Sequence, residues 1–85
     1  MNYKELSREE QIRYGESALD FLNNPVAQQA IKDLSERYVR MWDSATDMEE
    51  REKLWVWRQQ LAVVVNQFKM LVDNMTYLKS EEESK

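Results

Sequence analysis

The chain has no cysteine and no histidine, one glycine (Gly15) and one proline (Pro25) in 85 residues. Without cysteine there is no disulfide framework and no thiol nucleophile. Without either residue the common zinc sites are excluded, as are histidine-based catalytic pairs. A single glycine leaves no glycine-rich phosphate loop or dinucleotide fingerprint, which need several glycines at set spacings. Long apolar runs are also missing. The longest, Leu61-Ala62-Val63-Val64-Val65, is far short of the roughly 20 residues that cross a bilayer. The opening Met1-Asn2-Tyr3-Lys4-Glu5 is polar and no apolar stretch follows it, so no secretory leader is expected.

What is present is charge, aromatic residues and helical spacing. One third of the residues are charged, with a net charge of −4. An acidic balance argues against nucleic acid as the main ligand, because phosphate neutralisation dominates such binding. Residues 53–79 carry a local charge of +3, from Lys53, Arg58, Lys69 and Lys79 against Asp73. The arginines are spread along the chain and mixed with acids, the pattern of a solvated surface.

The expected fold is all-α, with three helices at about 8–22, 25–43 and 47–79. Ser7-Arg8-Glu9-Glu10 reads as a capping box. Ile12, Gly15, Leu19 and Leu22 follow at helical spacing. Asn24-Pro25 pairs a good N-cap with a residue suited to the first helical position. Ala27, Ile31, Leu34, Tyr38 and Met41 then alternate by four and three. Thr46-Asp47-Met48-Glu49 reads as a second capping box, with acids where the helix dipole favours them. In the last helix Leu54, Trp57, Leu61, Val64, Phe68, Leu71, Met75 and Leu78 alternate by three and four without a break. Residues 1–79 are expected to form one helical domain and residues 80–85 a disordered acidic tail.

Lengths add a constraint. The last helix is a rod of about 50 Å and the second about 28 Å. A short turn makes the two an antiparallel hairpin, so the second covers only part of the third. Phe68, Leu71, Met75 and Leu78 extend beyond it, and Val72 adds an apolar residue off the main seam. Their cover is either the first helix, folded back, or a second copy of the chain. Small domains without disulfides or metals commonly complete their cores by association, and a homo-oligomer built through the last helix is expected.

No catalytic residue, metal site or cofactor site is expected. Asp47, Glu49, Glu50 and Glu52 are read as a solvated first turn, and di-metal bundles use a Glu-x-x-His motif that is missing. Without histidine, acid–base chemistry would need a carboxylate or lysine of shifted pKa in a pocket. The aromatic residues remain. Trp57 on the seam and Trp42 near the facing seam are expected to close the hairpin core. Trp55 lies about 200° around the helix from Trp57, facing either the first helix or a partner protein. Trp42 and Trp55, with Phe68, Leu71, Val72, Met75 and Leu78, are the candidate interface. Gly15, inside a helix where it costs about 1 kcal/mol against alanine, marks a candidate close approach to another helix.

Asn24-Pro25-Val26, Leu34, Tyr38, Trp42, Thr46-Asp47 and Arg51-Glu52-Lys53-Leu54-Trp55 form a progression that resembles small phage-encoded helical-hairpin proteins, over roughly residues 18–79. The resemblance carries no catalytic residues. It implies a phage or prophage origin and action in the cytoplasm of a bacterial host. It implies either a role in particle assembly or interference with a host system, and the function expected is binding of a host or phage protein as an inhibitor of a host defence system. Two alternatives stand beside this: an accessory subunit of particle assembly or DNA packaging, and a sponge for a nucleotide signal, which only Arg51-Glu52 and Leu54 echo.

Overall fold

The computed structural model describes residues 5–83. It contains three α-helices, α1 (Arg8–Asn23), α2 (Pro25–Ser44) and α3 (Met48–Glu83); no strand is present among the described residues. The chain is all-α, and the helix starts and stops lie close to those read from the sequence.

Capping explains the starts. The Ser7 hydroxyl accepts from the Glu10 amide at 3.2 Å and donates to the Glu10 carboxylate at 3.1 Å. Asn24 Oδ1 accepts from the Val26 and Ala27 amides at 2.9 and 3.0 Å, satisfying two donors that the first turn leaves free. Asn24→Ala is therefore expected to cost about 1 kcal/mol, a fall in melting temperature of roughly 4–8 °C for a chain of this size. A thermal melt followed at 222 nm checks it. The third start differs from expectation by one residue. Asp47, not Thr46, caps α3, accepting from the Glu49 amide at 3.1 Å.

Where the spacing predicts one domain over 1–79, the chain groups into two packing units. Residues 5–23 pack with 66–83, and Asn24–Val65 forms the other. Helix α3 supplies its second half to the first unit and its first half to the second.

In the first unit α1 runs antiparallel to the second half of α3. Phe21 and Phe68 stack with ring centroids 4.4 Å apart. Asn74 donates to the Gln11 side-chain oxygen at 2.9 Å, and Arg8 Nη2 donates to the Leu78 carbonyl at 2.5 Å. Arg8 also pairs with Glu82 at 3.3 Å, and Lys79 with Glu16 at 3.5 Å. Between these contacts the helices come very close at Gly15. A Cβ placed there would overlap the Met75 Cβ and lie 2.9 Å from the Leu71 carbonyl oxygen. Ala18 is buried one turn on.

The cover for the far end of α3 is thus α1. Met75 is only 5 % exposed, and Phe68, Leu71, Val72 and Leu78 are half-buried. Of the two covers the lengths allow, the first helix folded back is the one seen for these candidate interface residues. The expected tail is corrected too, because α3 continues through Glu83. The Arg8–Glu82 pair ties that last turn to α1. A hydrogen bond from Tyr77 to Glu81 strengthens it and holds the phenol pKa above its usual value. Residues 84 and 85 of the expected tail lie outside the described residues.

In the second unit α2 and the first half of α3 form the hairpin. The turn is closed by the Ala45 amide, which donates to the Met41 and Trp42 carbonyls at 3.0 and 3.3 Å. Little of this unit is fully enclosed. Ala45 and Leu54 are its buried apolar residues, Leu54 at 2 % exposure, and α2 has no buried residue at all.

Candidate functional site

The hairpin end gathers the tryptophans, but not as a closed core. Trp57 is 50 % exposed and Trp55 57 %, and Trp42 is also exposed. The expectation that Trp57 and Trp42 close the core is corrected. Leu54, Leu61 and Val65 hold the centre of the α3 face toward α2. Trp57 is turned about 60° from Leu54, so its ring reaches only the edge of α2. It meets Tyr38 there with centroids 6.1 Å apart and planes tilted by 54°.

One side of the hairpin carries a groove of about 290 Å³, lined by Tyr38, Val39, Trp42, Asp43, Leu54, Trp55 and Arg58. Helical spacing builds it. Val39, Trp42 and Asp43 are three and four residues apart on α2, and Leu54 and Arg58 are four apart on α3. A shallower depression continues past Trp42 and Trp55 to Met48, Arg51, Glu52 and Val56. The two indoles form the shared ridge.

Trp42 is held in place. The Arg51 guanidinium carbon sits 4.6 Å from the Trp42 ring centroid, a cation–π contact. Arg51 Nε also donates to the Ala45 carbonyl at 2.8 Å, which fixes the arginine against the turn. Among the described residues Trp55 has no such anchor, and its indole stands out between groove and depression.

Sequence reasoning found Trp42 and Trp55 and missed Val39, Asp43, Met48 and Arg58. A signal was available for two of them, since Val39 is three residues from Trp42 and Arg58 three from Trp55 on the same helix; Asp43 and Met48 stand at no such spacing. Arg51 was read as a surface charge, and its role in orienting Trp42 depends on a contact between elements that no spacing shows.

The arrangement offers an apolar surface edged by charged side chains. Among the described residues no group of three acidic side chains is placed to hold a metal ion, and no helix is long and apolar enough to cross a membrane. No protein-family model, curated protein or solved structure matches the chain.

Proposed function

We propose that this chain is a non-enzymatic interaction protein of phage type, which acts in the bacterial cytoplasm by docking on a host protein and inhibiting a defence system. The observation that supports docking is the pair Trp42 and Trp55, exposed on either side of an apolar groove. Tryptophan and arginine dominate binding hot spots, above all where a rim excludes water around them. Here Arg51 and Arg58 flank the indoles. An apolar groove between two helices fits the apolar face of an amphipathic helix, with Asp43 and Arg58 placed to meet charges at its edges. The phage origin and the defence target rest on the sequence resemblance.

The test is Trp55→Ala. Because the side chain is more than half exposed, the helical signal and melting temperature are expected to stay as they are. Capture of the target from host lysate is expected to fall about 30-fold or more, the effect of losing one hot-spot residue of about 2 kcal/mol. Unchanged capture by a folded Trp55→Ala chain overturns the reading. A bait that retains portal, capsid or packaging proteins through the same tryptophan selects the assembly role instead.

A further inference from the structure

The groove of the hairpin carries a charge at each end. Asp43 stands in the last turn of α2, beside the turn that joins the two helices. Arg58 stands on α3, one turn past Leu54 and farther from that turn. Both side chains are exposed, and among the described residues neither takes part in a hydrogen bond or an ion pair. An unpaired carboxylate and an unpaired guanidinium therefore flank one apolar floor. Arg51, the cation nearest Asp43 on α3, is engaged with the Trp42 ring and the Ala45 carbonyl and lines the depression, not the groove. The Asp43 end, with the Trp42 indole beside it, suits a cation. The Arg58 end suits an anion.

Spacing identifies the occupant. Tyr38 meets Trp57, which sets the level of one helix against the other. Asp43 is five residues from Tyr38 toward the turn, and Arg58 is one residue past Trp57 away from it. At the helical rise of about 1.5 Å per residue, the two charges are about 9 Å apart along the groove. On a helix, residues seven apart share a face and are separated by about 10.5 Å. On a strand, residues that share a face are separated by about 6.6 or 13 Å, so the helix is the better match. Its third and fourth intervening residues fall on the same face and meet Val39, Leu54 and the indoles. The chain's own helices do not supply this pattern. Their opposite charges seven apart are Arg13–Asp20, enclosing Glu16 and Ser17, and Asp33–Arg40, enclosing Glu36 and Arg37. The occupant is another protein.

We propose that the groove takes one amphipathic helix of a partner protein, with a basic residue against Asp43, an acidic residue seven positions away against Arg58, and two apolar residues midway between them. The proposal rests on the docking reading above and adds the partner's chemistry to it. Either order of the two charges along the partner's chain fits, because a helix can lie in the groove in either direction.

Three synthetic peptides test it. Each is locked as a helix by a lactam bridge on its far face, contains no tryptophan, and differs from the others only at the two charged positions: lysine with glutamate, two lysines, or two glutamates. Binding to the full chain is followed by indole emission. The lysine–glutamate peptide is expected to bind about fivefold more tightly than either of the others, because it gains an exposed ion pair and loses a like-charge contact. With Asp43→Lys the two-glutamate peptide is expected to become the tightest. That variant keeps its fold, since Asp43 is exposed and a cation suits the last turn of a helix. Equal binding of the three peptides, an unchanged order with Asp43→Lys, or binding of none overturns the proposal. Such a failure is distinct from failure of docking itself: target capture that still depends on Trp55 keeps the docking reading and removes this helix from it.

Discussion

Gly15→Ala is expected to destabilise the protein by about 2 kcal/mol, although alanine is the better helix former. Propensity alone favours the substitution by about 1 kcal/mol. Against it stands the approach of α1 to α3. The added methyl would overlap the Met75 Cβ and press on the Leu71 carbonyl oxygen at 2.9 Å. Overpacking costs typically 1–3 kcal/mol, and this case belongs at the upper end. A flexible side-chain tip can rotate away, but a Cβ and a backbone oxygen cannot, so the helices must separate. Separation also loosens Ala18 and Met75, two of the most enclosed apolar residues of the chain. Loss of about 2 kcal/mol lowers the melting temperature by roughly 8–16 °C at this size, and Gly15→Val should do worse. A melt at 222 nm decides it. If alanine raises the midpoint, propensity has won and the close approach is not what fixes glycine here.

Leu54→Ala is expected to cost about 3 kcal/mol, within the 2–5 kcal/mol range for buried leucine. Leu54 is the large side chain of the hairpin most nearly excluded from water, at 2 % exposure. Chains of this length are stable by only about 4–13 kcal/mol in total, so a substantial share of that margin goes with one side chain. Trp57→Ala removes more atoms, yet half of that indole already meets solvent, and the expected cost is less than that of Leu54→Ala. Urea titration of both variants compares them directly. A tryptophan variant that is the weaker of the two would place Trp57, not Leu54, at the centre of the hairpin.

How legible was this in the sequence? Helix starts are written in side chains that bond their own backbone, and Ser7, Asn24 and Pro25 mark them without help from the rest of the fold. Gly15 could be singled out because a glycine inside a helix has a known cost and needs a reason. Other features depend on partners distant in sequence. The acidic run at 80–85 read as a solvated tail, whereas Arg8, more than seventy residues earlier, supplies the cation that holds Glu82. Trp57 shows a limit of periodicity. The alternating steps of three and four define a stripe about 100° wide, but not where along its width the neighbouring axis falls. Leu54 lies on that line and Trp57 to one side of it. Which of two adequate partners covers Phe68–Leu78 was likewise open, since helix lengths state the need for cover and not its source.

Helix α2 has no fully buried residue, and that bears on how the molecule opens. Local opening requires less free energy where fewer apolar contacts must be broken, so α2 can detach in excursions that leave the Gly15–Met75 contact undisturbed. Such excursions present its backbone to proteases and unfold only part of the chain. In a cell, the lifetime of this protein would then be set by its loosest helix more than by its global stability, and a partner seated on the hairpin would prolong it by holding that helix down.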